Sequence, residues 1–254
     1  MVKISAVIIT FNEENNIARC ISSVKELADE ILVVDSFSTD KTVEICKSFG
    51  VRLVEQEFLG YIEQKNFALD LATYDYVISI DGDEALDEVL QKNILKVKEN
   101  WIGEGYYFNR CTNYCGQWIK HSGWYPDRKL RLWRKDSGRW SGANPHDIIK
   151  MKEGSVTNHL AGDILHYSYP SISSHVNQTN NFTTIAAKEA FSRGVRSSFL
   201  KPTSRGILKF FRDYFFKLGI LDGRYGLVIC TINALSAFLK YAKIKELQEN
   251  KAIE

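Results

Sequence analysis

Three acidic side chains crowd into the stretch SIDGDEAL, directly behind an apolar run. They are Asp81, Asp83 and Glu84. Carboxylates this close repel one another, so a positive charge is expected beside them. A hard divalent cation shared between one or two carboxylates and the phosphates of a substrate would supply that charge. The stretch therefore predicts a Mg²⁺ or Mn²⁺ site, and Gly82 would let backbone and ligand approach closely.

The same stretch has simpler interpretations. An Asp-Gly pair is common in plain turns, although a turn needs one aspartate rather than an acidic group of three. An EF-hand loop is excluded because Ala85 and Leu86 occupy its fifth and sixth positions. A phosphatase-type nucleophilic aspartate would be expected after the first strand instead. The metal site is therefore the favoured hypothesis.

Four β-branched runs alternate with amphipathic segments at the start of the chain. The predicted strands cover residues 4–9, 31–34, 51–54 and 76–80, and the predicted helices cover 15–26, 40–49 and 64–72. Continuous apolar strands separated by helices are typical of a parallel sheet covered on both faces. Ligands of such sheets bind outside the carboxyl ends of the strands. The predicted fold class is α/β with a mostly parallel, Rossmann-like sheet.

The loops after these strands limit which kinds of ligand the predicted sheet can bind. The first one, Thr10–Glu14, contains no glycine, so a dinucleotide-binding dehydrogenase is not expected. A Walker A lysine loop is absent from the sequence as well. Most of the strand-end loops carry acids or amides, which indicates a polar ligand at this edge of the sheet.

The rest of the chain changes character twice. Residues 105–167 are rich in aromatics and short strand-like runs (106–110, 129–133 and 164–167), and from residue 171 the pattern is helical, at 173–193, 204–218 and 226–247. The net charge of +2 is too small to predict nucleic-acid binding. Five scattered cysteines indicate reduced thiols rather than a disulfide framework. The first apolar run is too short for a signal peptide, so a cytoplasmic protein is expected.

A basic segment stands out near the C-terminal end. The segment from Arg196 to Lys217 contains six basic residues and one acidic residue, Asp213. On a helix, one face would hold Leu208, Phe211, Phe215 and Leu218, and another would hold Arg205, Lys209 and Arg212. A solvated charged face is the simplest interpretation, but the phenylalanines favour an interfacial helix on anionic lipid. No nucleic-acid motif accompanies the charges.

Several stretches together resemble family 2 glycosyltransferases of the inverting, A-type fold. They are VIITFNEENNIARCISSV, EILVVDSFSTDKTVEIC, QKNFALDLATYDYVISIDGDE, GWYPDRKLRLWRKDSGRW and LDGRYGL, in the order usual for the family. Their pattern most resembles bacterial β-glucosyltransferases of the lipopolysaccharide core. The resemblance implies a nucleotide-diphospho-sugar transferase domain over residues 1–168 and a C-terminal helical region over 169–254, which is a candidate for membrane association.

The resemblance also implies roles for particular residues. Nucleotide-sugar binding falls to Thr10, Asn12, Glu13, Asp35, Ser36, Gln64, Lys65, Asn66 and Asp81, with Asp35 contacting the base, typically uracil. Residues 64–66 would open the third helix, whose N-terminus favours anions. Asp83 would ligate the metal, together with Asp81 and His166. Trp124 and Tyr125 would stack on the acceptor sugar.

An inverting transfer needs a carboxylate that takes the proton of the attacking hydroxyl. Two candidates remain open, Asp147 in NPHD and Asp127 in YPDRK, with Asp147 favoured. Close relatives of the subgroup tend to show Val-His-Glu where this chain has Pro145, His146 and Asp147, so the side chain at the candidate base is one methylene shorter than in those relatives. Asp127 could instead pair with Arg128 or Arg131.

The expected function is the metal-assisted transfer of a sugar, with glucose favoured, from a UDP-sugar to a lipid-linked or lipopolysaccharide-core saccharide. The expected location is the cytoplasmic face of the inner membrane, on its anionic surface. The alternative is a non-catalytic peripheral membrane protein that binds a nucleotide-sugar or glycan. A nucleotidyltransferase would need a glycine-rich phosphate loop after the first strand, and this chain lacks one.

Overall fold

The computed structural model describes residues 1–143 and 146–250. The chain divides into two compact units. The first combines Met1–Cys111 with Asp127–Tyr167, and the second combines Thr112–Pro126 with the chain from Ser168 onward. The functional division at residue 168 stays a prediction, since compactness does not test what either part does.

Four parallel strands form one half of the sheet in the first unit. They are β1 (Ile4–Thr10), β2 (Glu30–Asp35), β3 (Arg52–Glu55) and β4 (Tyr76–Asp81), arranged in the order β3-β2-β1-β4. β1 is buried along almost its whole length, as expected of a strand that is covered on both faces. The register pairs Thr10 with Asp35 and Ile9 with Asp81. The polar ends of three strands therefore meet at one edge.

Antiparallel strands continue the sheet beyond β4. They are β5 (Glu84–Leu86), β6 (Gly105–Tyr114), β8 (Asp127–Arg134) and β11 (Thr157–Tyr169), in the order β4-β8-β6-β11-β5. The last residues of β6 and β11 belong to the second unit. A separate antiparallel pair, β9 (Gly138–Ala143) and β10 (His146–Met151), carries Asp147 opposite Gly142.

Helices cover both faces of the sheet. They are α1 (Ile17–Val24), α2 (Thr42–Ser48), α3 (Tyr61–Leu71) and α4 (Glu88–Glu99). One buried cluster joins α1 and α4 to Ala6 and Ile8 of β1, and the other joins α3 to Val7 of β1. Because successive strand residues point to opposite faces, these clusters lie on the two sides of the sheet. The predicted α/β fold is confirmed.

Two helices differ from the sequence predictions. α3 begins at Tyr61 rather than at residue 64, so the expectation that residues 64–66 open this helix is wrong. Gly60, with φ of +143°, turns the chain one helical turn earlier. α4 was missed, although Asp87 caps it by accepting a hydrogen bond of 2.7 Å from the Leu90 backbone NH.

The second unit is mainly helical. It contains α5 (Ile172–Ser192), α6 (Lys201–Phe211) and α7 (Gly223–Asn250), together with β7 (Gln117–Ile119), which pairs with the end of β6. A π-helical turn at Arg212–Phe216 and a 3₁₀ turn at Gly219–Asp222 separate α6 from α7. The predicted helix 204–218 is therefore interrupted. The four residues predicted to form its apolar face are all exposed: Leu208, Phe211, Phe215 and Leu218.

One segment of the described chain, Gly219–Asn250, is long and apolar enough to cross a membrane by length and composition. Length and composition alone are weak evidence, because core helices of soluble proteins pass the same test. All five cysteines are free, as predicted.

Gly162 tests the packing of β11 against α4. A Cβ at this position would lie 2.4 Å from the Leu90 backbone nitrogen. Backbone atoms of Leu90 cannot shift without disturbing α4. We therefore expect the clash in Gly162→Ala to lower the free energy of unfolding by about 1–3 kcal/mol, in addition to the cost of placing alanine at a positive φ. Urea denaturation measures this difference.

Gly154→Ala is the matched control. Gly154 also has a positive φ, +80° against +111° at Gly162, but nothing lies within 4 Å of its Cβ position. The control therefore carries the backbone strain without the clash. Equal destabilisation by the two substitutions would refute the packing argument.

Candidate active site

The carboxyl ends of β1, β2 and β4 assemble a polar edge around Gly82. The Gly82 backbone NH donates a hydrogen bond of 2.9 Å to the Ile9 carbonyl, which draws the loop after β4 onto β1. A Cβ at residue 82 would lie 2.8 Å from the Thr10 hydroxyl and 3.3 Å from the Glu13 side chain. The edge is therefore packed closely enough to require glycine there.

Asp35 organises the loop after β2. Its buried carboxylate accepts hydrogen bonds from the Ser38 backbone NH (2.7 Å) and hydroxyl (2.5 Å). Asn12, in a left-handed conformation with φ of +55°, donates its NH to Ser38 and accepts from Thr39, both at 2.8 Å. Asp35 and Asn12 thus hold one loop in place, and Ser38 is a member of this group that the sequence analysis missed.

Gln64, Lys65 and Asn66 each bind a different neighbour of α3. The Gln64 side-chain amide donates to the Ser36 hydroxyl at 3.1 Å. Asn66 exchanges two hydrogen bonds with the Trp140 backbone, of 3.0 and 3.2 Å. These contacts tie α3 to the loop after β2 and to β9.

Lys65 lies at the centre of the site. Its ammonium contacts Asp81 at 3.1 Å and Asp147 at 2.7 Å, and it lies 4.5 Å from the centre of the Trp140 ring. Only 3% of its side chain is exposed, so a solvated surface lysine is excluded. One buried cation therefore joins the acidic stretch to a candidate base that is distant in sequence.

The positive charge that the acidic stretch requires comes largely from the protein itself. Besides Lys65, the Arg131 guanidinium contacts Asp81 at 3.4 Å and Glu84 at 3.2 Å. Arg110 adds a contact of 3.4 Å to Glu84, whose side chain is fully buried. The sequence analysis expected a divalent cation to supply this charge, but at Asp81 and Glu84 the compensating charges belong to Lys65, Arg131 and Arg110.

The cations change the titration of Asp81. Burial by itself would raise the pKa of Asp81, but Lys65 and then Arg131 outweigh it and hold the pKa well below the ordinary value. Burial likewise opposes the charge of Arg131, and Glu84 and Asp81 more than compensate, so its pKa lies above the usual range. Asp81 is therefore a permanent anion at neutral pH.

Asp83 has a different environment from its two neighbours. Its carboxylate lies 3.1 Å from His166 Nε2, and the Tyr167 backbone NH donates to its carbonyl at 2.9 Å. The two side chains are within hydrogen-bond distance of each other, and carboxylate and imidazole are both groups that ligate divalent cations such as Mn²⁺. The His166 Nδ1 atom is buried without a hydrogen-bond partner in the structure.

The structure brings together two of the three predicted metal ligands. Asp83 and His166 face each other, whereas Asp81 is paired with Lys65 and Arg131. Within residues 1–143 and 146–250 no three acidic, histidine or cysteine side chains gather as a ligand set. A cation here would depend on substrate phosphates for its remaining ligands, as Mg²⁺ commonly does.

Glu13 is an unusual acid at the same edge. Burial raises its pKa to about 7, a hydrogen bond from Asn16 opposes that rise, and the negative charges of Asp83 and Asp40 add to it. A carboxyl that is half protonated at neutral pH can donate as well as accept. A bound cation would return it to the charged form.

The two candidate bases lie in different surroundings. Asp147 contacts Lys65 and is mostly buried. Asp127 pairs with Arg110 at 2.8 Å and Lys129 at 3.2 Å, so the expected pairing with Arg128 or Arg131 is wrong. Alternate residues of β8 share a face, which explains the Lys129 contact. Pro145, part of the departure from the family pattern, lies outside the described residues.

The predicted acceptor residues belong to the second unit. Trp124 packs among Tyr114, Tyr169 and His175, with ring centres 5.3 to 5.9 Å away. The Tyr125 ring lies 4.3 Å from the Lys120 ammonium. Trp124 is thus partly a packing residue, which was the simpler interpretation for any tryptophan.

Arg110, Arg131 and Trp140 are site residues that the sequence analysis did not assign. Trp140 lies beneath both Lys65 and Arg131, at 4.5 and 5.2 Å from its ring centre. A signal was present in the run LRLW, because a charged residue between apolar ones on a central strand demands a buried partner. The sequence does not show which residue that partner is.

Comparison with known proteins identifies the class. The family model for glycosyl transferase family 2 matches residues 5–150. A protein of Rickettsia typhi named as an uncharacterized glycosyltransferase is 32% identical over 97% of this chain and 88% of its own length. The chain belongs to glycosyl transferase family 2. The predicted family and enzyme class are confirmed.

Two further similarities are more specific. A Rhizobium meliloti protein named as a lipopolysaccharide core biosynthesis glycosyltransferase is 30% identical over 98% of this chain and 94% of its own length. Glucosyl-3-phosphoglycerate synthase from Mycobacterium tuberculosis, solved with Mn²⁺ and UDP-glucose, is 25% identical over 44% of each chain. Its TM-score of 0.38 is too low to support a functional inference.

Replacing the central cation should expose the repulsion that it compensates. We expect Lys65→Met to lower the free energy of unfolding by about 3–5 kcal/mol at pH 7, because Asp147 loses its partner and Asp81 keeps only Arg131. The ion pairs stabilise the fold above the ordinary aspartate pKa of 3.8, and their contribution is lost as the pH falls through the depressed folded-state value. The deficit should therefore shrink in acid.

Denaturant titrations at several pH values measure this dependence. Lys92→Met is the matched control, since Lys92 forms a 3.8 Å pair with Glu88 on the solvent face of α4. A surface pair of this kind contributes little, so the control should be neutral. A deficit at Lys65 that is the same in acid and at neutral pH would contradict the electrostatic role.

Proposed function

We propose that the chain transfers a sugar, with glucose favoured, from a UDP-sugar to a lipid-linked or lipopolysaccharide-core saccharide, with inversion at the anomeric carbon. The observation that carries the proposal is the Lys65 ammonium bound to both Asp81 and Asp147. It holds the acidic edge of the sheet and a candidate base in one place, as a reaction between a donor and an acceptor requires.

The donor nucleotide is assigned to the loops after β1 and β2. Asp35 and Asn12 already order the segment 36–39 through Ser38, so a base placed there would meet a preformed surface. Thr10, whose buried hydroxyl has no partner in the structure, is a further contact for the nucleoside. Ser36 and Gln64 border the same surface.

Mg²⁺ or Mn²⁺ bound between Asp83 and the diphosphate would neutralise the charge that develops on the departing UDP. Asp83 and His166 would be the protein ligands of this ion. Glu13, whose pKa of about 7 would fall next to the cation, would then be anionic. Arg131 keeps Asp81 and Glu84 charged and in position.

Asp147 is the proposed general base. Its carboxylate takes the proton of the acceptor hydroxyl while that oxygen bonds to the anomeric carbon and the bond to UDP breaks. Lys65, at 2.7 Å, orients this carboxylate and would have to release it as the acceptor arrives. Asp127 is the alternative; it pairs with two cations, Arg110 and Lys129, whereas Asp147 pairs with Lys65.

The acceptor class rests on two supports. The Rhizobium meliloti relative is named for lipopolysaccharide core biosynthesis. In the second unit, α6 exposes Ile207, Leu208 and Phe211, each more than half exposed. Arg205 on the same helix is exposed too, whereas Lys209 and Arg212 pair with the buried Asp213. The opposite face of α6 packs on α7, where a Cβ at Gly206 would lie 3.2 Å from the Ala234 carbonyl. An exposed apolar face flanked by cations suits the anionic inner face of the membrane.

Substitution of the two acids should separate donor binding from chemistry. We expect Asp83→Ala to abolish the Mn²⁺-dependent rise in melting temperature that UDP produces, because the ion loses a protein ligand. Asp147→Asn should retain that rise and lower kcat for transfer at least about 100-fold, because the base is lost. Thermal-shift and UDP-release assays measure both effects.

Asp127→Asn is the matched control for the base. It should leave kcat within a few-fold of the unsubstituted chain, since Asp127 is paired with two cations. If Asp127→Asn abolishes transfer and Asp147→Asn does not, the base assignment is overturned. A full UDP response in Asp83→Ala would refute the metal role.

Membrane docking has its own test. We expect Phe211→Ser/Phe215→Ser to weaken binding to phosphatidylglycerol vesicles about tenfold or more. The double variant lacks the two phenyl rings that would transfer from water into the membrane interface. The unsubstituted chain should bind phosphatidylcholine vesicles more weakly, since their surface lacks the negative charge. Co-sedimentation of the full chain measures both.

Val89→Ser/Leu95→Ser on α4 is the matched control, because these residues are also exposed apolar side chains on a helix. It should leave vesicle binding unchanged. Equal loss in both double variants, or equal binding to both lipids, would contradict docking through α6.

A further inference from the structure

Phe37 combines two unusual features in the loop after β2. Its backbone is left-handed, with φ of +59°, a conformation that bulky residues rarely adopt because the Cβ crowds the following carbonyl. The residue is also 56% exposed. A single exposed phenylalanine is ordinary, but an exposed ring contributes little to folding and does not compensate a strained backbone. Strain of this kind points to a function.

The residues on either side of Phe37 hold this conformation. The Ser36 backbone NH donates to the Thr10 carbonyl at 3.0 Å, which ties the loop to the end of β1. On the other side, Ser38 donates its backbone NH and its hydroxyl to Asp35 at 2.7 and 2.5 Å. The residue between these two anchors has little freedom to relax, so its ring is presented from a fixed loop.

The Asp35 carboxylate itself presents no surface to a ligand. It is fully buried, and each of its two oxygens already accepts a hydrogen bond from Ser38. The exposed apolar group of the same loop is the Phe37 ring. Within residues 1–143 and 146–250 this ring stacks on no other aromatic ring, so both of its faces are open to a planar partner.

Phe11, on the loop after β1, is the competing candidate, because it is also 56% exposed. Its backbone carries no such strain. The non-glycine residues with a positive φ in these two loops are Asn12 and Phe37, and asparagine tolerates the left-handed region far better than phenylalanine does. The strain therefore singles out Phe37.

We propose that the nucleobase of the donor stacks on the Phe37 ring. A phenyl ring and a base stack with an offset and shield each other from water. Such a stack adds affinity for any base, since every base has an aromatic face. The inference rests on the proposed function, because it deepens the donor site of that reaction by naming the group that binds the base.

Titration calorimetry of the full chain with UDP and Mn²⁺ tests the proposal. We expect Phe37→Ala to weaken the Kd for UDP about fivefold or more, because one base–ring stack is lost. The Kd for pyrophosphate with Mn²⁺ should stay unchanged, because pyrophosphate has no base. Phe37→Tyr keeps an aromatic face and should retain the Kd for UDP. In the hydrolysis of UDP-glucose, Phe37→Ala should raise KM and leave kcat unchanged.

Phe37→Gly separates the strain from the stacking. Glycine lacks the ring but adopts a positive φ freely. We expect Phe37→Gly to melt about 2 °C above Phe37→Ala and to bind UDP as weakly as Phe37→Ala does. This variant keeps the test decisive if Phe37→Ala folds poorly, because it removes the ring and relieves the strain together.

Phe58→Ala is the matched control. Phe58 is an exposed phenylalanine on the neighbouring loop, after β3, and is 47% exposed. Its ring has a partner, since it lies 5.1 Å from the Tyr61 ring, and its φ is not positive. The substitution should leave the Kd for UDP unchanged.

Several results would overturn the inference. They are an unchanged Kd for UDP in Phe37→Ala and Phe37→Gly, an equal loss of pyrophosphate affinity, and an equal loss in Phe58→Ala. A loss in Phe11→Ala without one in Phe37→Ala would assign the base to the loop after β1. Failure of the proposed function is a separate result, because the unsubstituted chain would then bind UDP without hydrolysing UDP-glucose. Absence of UDP binding by the unsubstituted chain would overturn both.

Discussion

One buried ammonium group sets the arrangement of the site. Lys65 brings a carboxylate at the end of β4 and a carboxylate on β10 to the same point, and neither could be buried there alone. Removing an acid or a base from water costs several kcal/mol unless a partner is close. The pairing therefore constrains α3, β4 and the β9–β10 hairpin together, and Asn66 reinforces it through Trp140.

The acidic stretch divides its three charges among different partners. Glu84 is buried against Arg131 and Arg110, Asp81 is shared by Lys65 and Arg131, and Asp83 is the one that faces His166. Two of the acids, Asp81 and Glu84, hold the edge of the sheet together through ion pairs, and the third, Asp83, is the one that we propose as the ligand of a divalent cation.

The second unit repeats the same physical device with a different group. Asp222 is buried and fully hydrogen-bonded, and it orders a loop rather than a strand edge. Gly219 and Gly226 pack closely against each other beside Asp222. A Cβ at residue 226 would lie 1.8 Å from the Gly219 carbonyl oxygen, so this packing requires glycine there. The glycines and the aspartate of LDGRYGL are thus explained by packing and hydrogen bonding within this unit.

The sequence by itself determined the local elements, because burial on both faces makes a parallel strand uniformly apolar and burial on one face makes a helix periodic. β1 to β4 and the positions of Asp35, Asp81 and Asp83 at strand ends followed from this, while the family was recognised from the resemblance of whole motifs. The helix α4 and the start of α3 did not, since capping by Asp87 and the turn at Gly60 are weak local signals. Only the tertiary structure decided which charges meet. The contact of Lys65 with Asp147 joins residues 82 positions apart, and an ion pair leaves no periodic trace in the chain because it depends on where two side chains end in space.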